Sequence, residues 1–132
     1  MIAVDTNILV RFFVRDDERQ YQQAAKLLCS SEDSGESIYV STIVLVELVW
    51  VLKGGYKVLK SDICKTLSVL LTNQLFVFAN AKMVRDTLNK YQSGNCDFAD
   101  YLIALEGIKE QARTTFTFDK RCGGDSLFSL LS

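Results

Sequence analysis

One glutamate interrupts an otherwise apolar run. Between Ile43 and Leu52, Glu47 is the only residue whose side chain is not apolar. A buried carboxylate without a partner is costly, so it shifts its pKa, finds a partner or binds a metal. Helix capping does not explain an acid in the middle of a predicted helix. The pattern therefore indicates a carboxylate held at the rim of the core for a chemical purpose.

Four further acids lie at the ends of predicted strands and helices. Asp5 directly follows the first predicted strand and Asp119 the last clear one, while Asp97 and Asp100 open a helix and share one of its faces. Taken singly, each has an ordinary explanation, because Asp commonly caps helices and occupies turns. Taken together with Glu47, such carboxylates would repel one another unless a cation neutralised them. Mg²⁺ prefers oxygen ligands, and a magnesium site can orient water for attack on a phosphodiester.

Short strand-like runs alternate with longer helical patterns along the chain. This alternation predicts a single α/β domain over residues 1–132, with a parallel sheet of four to five strands and helices on both faces. In such sheets, ligands bind beyond the carboxyl ends of the strands. The Gly54-Gly55 pair is expected to end the third helix, and the tail at 125–132 fits either a short helix or a fifth strand. The predicted strands cover residues 2–4, 37–41, 75–79 and 114–118, and the predicted helices cover 6–14, 16–31, 42–52, 60–72, 81–92 and 97–111.

Composition excludes several kinds of chemistry. The chain has no histidine, and its four cysteines form no CxxC pair, which argues against a zinc site and rules out Ser–His or Cys–His catalysis. We therefore expect buried or incidental thiols. With 15 basic and 16 acidic residues, the chain lacks the basic surface of a general nucleic-acid coat protein. It has no membrane-length apolar stretch and no signal-peptide pattern at its N-terminus, so we expect a cytoplasmic protein.

Four segments carry a resemblance to a known family. They are VDTNILVR at 4–11, STIVLVELVWVL at 41–52, DFADYLIAL at 97–105 and TFTFDKR at 115–121. In this order and spacing the chain resembles the PIN-domain ribonucleases, especially the VapC-type toxins of toxin–antitoxin pairs. The resemblance implies a three-layer α/β/α fold, a homodimer, Mg²⁺ or Mn²⁺ as cofactor, and hydrolysis of RNA. It also implies a VapB-like antitoxin that blocks the site.

The resemblance also assigns roles to individual residues. Asp5, Glu47, Asp100 and Asp119 would form the catalytic acidic quartet, with Asp5 and Asp100 as metal ligands. Asp100 is chosen over Asp97 because it directly precedes the segment Tyr101-Leu102-Ile103-Ala104. The auxiliary positions implied by the resemblance are Asn7, Asp97 and Thr117. The chain departs from the family after TFTFDKR, where it continues with Cys122-Gly123-Gly124.

Two arginines and the apolar run have alternative explanations. Arg11 and Arg15 lie one helical turn apart, and each suits a phosphate or antitoxin contact, since a guanidinium offers a two-pronged donor. They equally suit surface pairs with Asp16, Asp17 or Glu18. The apolar residues at 43–52 suit both the core and a dimer or antitoxin surface.

Three other functions fit the sequence less well. A catalytically inactive PIN-like module would only bind a partner, but it would not need all four acids. A phosphoryl receiver domain needs an acid after its central strand, where this chain has Asn80-Ala81-Lys82. A phosphatase of the haloacid dehalogenase type needs a second acid two residues after Asp5, and that position is Asn7.

Overall fold

The computed structural model of the protein describes residues 1–131, in which strands and helices alternate as predicted. The tail forms a strand, which decides between the two alternatives for that segment. A strand or helix lies at each predicted position, with ends that differ by a few residues. The strands β1–β5 span Ile2–Ala3, Ile38–Tyr39, Phe76–Val77, Thr115–Thr117 and Phe128–Leu130, and the helices α1–α6 span Thr6–Phe13, Glu18–Ser34, Thr42–Trp50, Lys60–Thr72, Ala81–Ser93 and Phe98–Lys109.

The chain divides into two compact units, and the first is Met1–Ala81. It contains a three-stranded parallel sheet in the order β1-β2-β3, in which Ile38 is paired with Ile2 on one side and Phe76 on the other. Each parallel connection in this unit runs through α-helices, the usual crossover between parallel strands. The core of this unit consists of apolar side chains from both the sheet and the helices. Its most deeply buried members include Leu9, Val10, Ile38, Val40, Leu45, Leu48, Leu52, Ile63, Leu67 and Leu70.

The second unit is Lys82–Ser132. Its strands β4 and β5 are parallel, with Thr115 paired to Phe128 and Thr117 to Leu130. Apolar side chains of α5, α6 and β5 form its core, and two aromatic pairs among them meet edge to face, a preferred aromatic geometry. These pairs are Tyr91 with Phe98 and Tyr101 with Phe128.

The end of α3 differs from the prediction. The helix does not stop before Gly54-Gly55 but continues through both glycines as a π-helical turn, Val51–Gly55. The Tyr56 N–H donates to the Val51 carbonyl at 3.1 Å, which is the wider ring of a π-helix. The left-handed conformation that ends the segment falls at Lys57, with φ of 56°. Glycine alone therefore did not locate the end of this helix.

The prediction of an α/β fold with parallel strands is confirmed. All five strands of residues 1–131 pair in parallel, as a group of three and a group of two. The single domain over residues 1–132 stays a prediction. Among residues 1–131, no helix combines the length and the apolar character that crossing a membrane requires.

Candidate active site

Asp5 lies just past β1 and caps α1. Its Oδ1 accepts a hydrogen bond from the Ile8 N–H at 3.3 Å, so the helix-capping explanation for this acid describes a real contact. The side chain is exposed, whereas Val4 before it and Thr6 after it are buried. Within residues 1–131, this hydrogen bond uses only one of the two carboxylate oxygens of Asp5, Oδ1. Asp5 is therefore fixed by its neighbours in a position open to solvent at a helix N-terminus.

Thr6 connects this cap to Glu47. The Thr6 hydroxyl donates to Glu47 Oε1 at 3.1 Å, across 41 residues of sequence. Thr6 itself is only 8% exposed, so this hydrogen bond from α1 to α3 is partly shielded from water. Because Thr6 directly follows Asp5, this bond ties Glu47 to the residue beside the Asp5 cap. Sequence reasoning missed Thr6, although it lies inside the Asp-Thr-Asn motif.

The Glu47 side chain is exposed, although the sequence surrounds it with apolar residues. The opposite face of α3 is buried, through Val44, Leu45, Leu48 and Val49, but Glu47 is exposed. Its neighbours on the exposed face are Ile43 and Trp50, which are 71% and 55% exposed. The apolar run in α3 thus includes side chains that face solvent. Composition alone did not reveal which residues these are.

A cavity of about 250 Å³ opens beside Asp5, and Asn7 and Arg11 belong to its lining. Arg11 already has protein partners in this structure. Its guanidinium donates to Gln20 Oε1 at 2.6 Å and to the Tyr56 hydroxyl at 2.9 Å, and it lies 3.3 Å from Asp16. Of the two explanations for Arg11, the structure therefore shows the one in which it pairs with a nearby acid at the surface, here Asp16.

Arg15 also forms a surface ion pair. Its Nε and Nη2 contact the two oxygens of Glu18 at 2.8 and 2.7 Å, and its guanidinium stacks on the Tyr21 ring. This pairing, with a further hydrogen bond from Gln22, lowers the pKa of Glu18 to about 2. A phosphate at Arg15 would have to compete with Glu18.

In the second unit, Asp97 and Asp100 form a capping box at the start of α6. The Asp97 N–H donates to Asp100 Oδ2 at 3.1 Å, so the pair satisfies backbone groups that a helix terminus leaves open. Both side chains are half-buried. The same Asp100 oxygen lies 3.9 Å from Cys122 Sγ. The hydrogen bond from the Asp97 N–H therefore orients the Asp100 carboxylate, and the disulfide lies beside it.

Asp119 follows β4 and caps the short 3₁₀ turn Lys120–Cys122. The Asp119 N–H donates to Thr117 Oγ1 at 3.0 Å, so Thr117 supports the backbone at this acid. The Arg121 side chain contacts both Asp119 oxygens, the shortest distance being 2.7 Å from Nη2 to Oδ2. This guanidinium, together with the Arg121 backbone N–H, lowers the pKa of Asp119 below its ordinary value.

A disulfide between Cys96 and Cys122 was not predicted. The two cysteines are 26 residues apart in sequence and 5.2 Å apart at Cα, and both are buried. The expectation of buried or incidental thiols fails for this pair, whereas Cys29 and Cys64 are free. Widely spaced cysteines give no pairing signal, because pairing depends on which turns the fold brings together.

The predicted site residues thus fall into one group in each unit. Asp5, Asn7 and Glu47 belong to the first unit, where Thr6 links Glu47 to the Asp5 cap. The second unit holds Asp97, Asp100, Thr117 and Asp119, along with Arg121. The meeting of the two groups at one metal stays a prediction.

The donor set of the five acids fits a hard cation. All five offer carboxylate oxygens, which Mg²⁺ and Mn²⁺ prefer. One oxygen of Asp5 and one of Glu47 already accept a hydrogen bond from the protein, which holds each carboxylate in place. Cys96 and Cys122 also lie close to Asp100, but their sulfurs are joined to each other, so they do not offer the thiolates that softer metals prefer.

These features, together with comparison to known proteins, define the class of the protein. The model of the PIN domain family matches residues 2–122, so the chain belongs to the PIN-domain family, and the resemblance of its four segments to that family is confirmed. Among characterised proteins it is similar to a VapC ribonuclease from Aquifex aeolicus (strain VF5). The two are 25% identical over 121 residues, which cover 92% of this chain and 89% of the relative.

Proposed function

We propose that the protein is a metal-dependent endoribonuclease that hydrolyses RNA phosphodiester bonds as the toxin of a toxin–antitoxin pair. Membership of the PIN-domain family and the similarity to a VapC ribonuclease support this function. The observation that carries it is the Thr6–Glu47 hydrogen bond beside the Asp5 cap. It joins Glu47 to Thr6, the residue next to Asp5, at the carboxyl end of a parallel strand, where such folds place their ligands.

Each acid has a role in this proposal. Asp5 and Asp100 would hold Mg²⁺ or Mn²⁺, which when bound supplies positive charge for the phosphate and makes water more acidic. Glu47 orients the attacking water with the carboxylate oxygen that Thr6 does not occupy. Asp119 would assist from the second unit, but Arg121 now contacts both of its oxygens, so this role requires Arg121 to shift or to share the carboxylate.

The auxiliary residues keep these acids in place or widen the site. Asp97 fixes the start of α6 together with Asp100, and Thr117 supports the turn at Asp119. Asn7 lines the cavity beside Asp5, where it can contact the substrate. Arg11 and Arg15 would reach RNA phosphates or an antitoxin by exchanging the protein carboxylates that they now contact.

The partners follow from the same proposal. A cognate VapB-like antitoxin would inhibit the enzyme, and the enzyme would act as a cytoplasmic homodimer. The exposed side chains of Ile43 and Trp50, on either side of Glu47 along α3, offer apolar area for such a partner. An antitoxin covering this face would also cover Glu47.

A catalytically inactive PIN-like module is the second candidate function. The observation that favours it is the ion pair between Arg121 and both oxygens of Asp119, because a carboxylate that is already neutralised has less need of a cation. The receiver-domain alternative has no support now that the chain is placed in the PIN-domain family.

A cleavage assay separates these candidates. Purified protein should cut single-stranded RNA with Mg²⁺ or Mn²⁺ and stop when EDTA removes the metal. Asp5→Asn and Asp100→Asn should each lower the rate by about 100-fold or more, because each removes a charge while keeping the shape. Asp33→Asn, the same change at an exposed acid near the end of α2, is the matched control and should cleave at the parental rate.

The outcomes of this assay are distinct. Undiminished cleavage in EDTA contradicts the metal mechanism. Parental rates in both variants show that other acids carry the reaction. A parental protein that binds a partner but never cuts RNA is the inactive module.

A further inference from the structure

The Cys96–Cys122 disulfide joins the two turns that carry the acids of the second unit. Cys96 immediately precedes Asp97, the N-cap of α6, and Cys122 ends the short turn that Asp119 caps. The bond therefore connects the start of the Asp97–Asp100 capping box to the turn of Asp119, across 26 residues of sequence. Within residues 1–131, the only covalent connections between these two turns are this bond and the polypeptide chain itself.

The surroundings of the bond hold both turns closely. The Cys96 N–H donates to the Tyr101 hydroxyl at 3.3 Å, and Cys122 Sγ lies 3.9 Å from Asp100 Oδ2. Arg121, next to Cys122, pairs with Asp119, and its charge also acts on Asp97 and Asp100. A shift of the Cys122 turn would therefore move Arg121 and change its electrostatic interaction with Asp97, Asp100 and Asp119.

Burial makes the bond persistent once formed. Cys96 is 3% exposed and Cys122 is fully buried, so a reductant thiolate reaches either sulfur only when this region opens. A covalent link also removes conformational freedom from the loop that it closes. Both effects favour a fixed distance between the two turns as long as the link is intact.

We propose that Cys96 and Cys122 are positioning residues whose disulfide sets the geometry of Asp100 and Asp119 for a divalent cation, so that the metal requirement of the enzyme depends on its thiol state. This inference rests on the proposed function. In the cytoplasm, the location that belongs to the proposed function, disulfides are uncommon and redox-linked. The same link would therefore make metal use responsive to oxidation.

The chemistry of the change is a thiol–disulfide exchange. A dithiol reductant attacks one sulfur, forms a mixed disulfide, and then closes on itself to release the second cysteine. Two electrons and two protons pass to Cys96 and Cys122, which become thiols, and the reductant becomes a disulfide. A small disulfide oxidant reverses the exchange.

The first measurement compares linked and link-free protein. The linked form is protein purified without reductant, and the link-free forms are dithiol-reduced protein, desalted without oxygen, and Cys96→Ser/Cys122→Ser. We expect the Mn²⁺ concentration for half-maximal RNA cleavage to rise about tenfold in both link-free forms, the scale seen when groups that orient metal ligands are lost. The rate at saturating Mn²⁺ should change far less, and re-oxidation should restore the original Mn²⁺ requirement only in the parental protein.

Two controls make the result specific. Cys29→Ser removes an exposed free thiol and should respond to reductant as the parental protein does. Amide hydrogen exchange without metal should show faster exchange at Asp97 and Arg121 in Cys96→Ser/Cys122→Ser, because the N–H groups of these two residues bond to the acids of the linked turns.

The outcomes separate this inference from the proposed function. Equal Mn²⁺ requirements in linked and link-free protein overturn the positioning role while leaving the ribonuclease intact, as do four free thiols in the folded, oxidised protein. If no form cleaves RNA, Mn²⁺ affinity measured by calorimetry still tests the inference. A difference in affinity between the two forms supports it, and equal affinities overturn it.

Discussion

At the scale of single residues, the candidate acids do structural work as well as the chemistry proposed for them. Asp5, Asp97 and Asp119 are each the N-cap of a helical segment. A cap fixes a carboxylate at a helix start, where the backbone N–H groups favour negative charge. Capping and metal binding are therefore compatible at these positions, because capping already holds the carboxylate in the position from which it could bind a metal.

The ion pair of Arg15 with Glu18 gives a prediction about pH. Because the folded-state pKa of Glu18 is about 2 and its ordinary value is 4.5, its stabilising effect is fully present above about pH 4.5 and is lost as the pH falls through about 2. Arg15→Gln should raise the pKa of Glu18 towards 4.5, though not fully, because Gln22 still donates to the carboxylate. Carboxyl-carbon NMR titration measures this change.

The effect of the same substitution on stability should depend on pH. Arg15→Gln should destabilise the protein more near neutral pH than below about pH 2, because the ion pair with Glu18 exists only where Glu18 is ionised, whereas the contact of Arg15 with Tyr21 is lost at both pH values. Arg19→Gln removes an equal charge one residue from Glu18 and serves as the control. A Glu18 pKa that moves equally in both variants would show a general charge effect rather than the specific pair.

At the scale of elements, the turn between α5 and α6 sets where the Asp97–Asp100 cap begins. Gly94 lies in this turn, and a Cβ there would overlap the Tyr101 hydroxyl and sit 2.9 Å from the Lys90 carbonyl oxygen. Tyr101 is buried and receives the Cys96 N–H, so it has little room to move. The turn therefore requires glycine for lack of space.

Substitution of this glycine should destabilise the protein. Gly94→Ala should lower the free energy of unfolding by about 2 kcal/mol or more, as overpacking does, and the midpoint of thermal unfolding should fall accordingly. Gly124→Ala is the matched control, because a Cβ at Gly124 meets nothing within 4 Å. Equal melting temperatures for the two variants would contradict the close packing of Tyr101 against Gly94.

At the scale of the whole molecule, toxicity tests the biological role. Expression of the protein should arrest bacterial growth, because cleavage of RNA by a free toxin stops protein synthesis. Asp5→Asn/Asp100→Asn should not arrest growth, whereas Asp33→Asn should. Turbidity and viable counts after induction measure both effects, and co-expression of the product of a short adjacent gene should restore growth. Arrest by Asp5→Asn/Asp100→Asn as well would separate toxicity from the proposed metal site.

Much of the fold and the location of the candidate acids followed from local signals in the sequence. Alternating strand and helix patterns placed all six helices and the four clear strands of residues 1–131. Asp5 and Asp97 lie where helices begin because capping is a short-range interaction. Such features depend on residues within a few positions of one another, so the sequence alone determined them.

Contacts between distant segments were decided only by the tertiary structure. Thr6 meets Glu47 across 41 residues, and Arg11 meets Tyr56 across 45. The pairing of Cys96 with Cys122 and the exposure of Glu47 belong to the same class. Sequence patterns do not encode these contacts locally, because they depend on how each unit packs its helices and turns. The residues that could do chemistry were thus visible in the sequence, while the partners that orient them arose from packing.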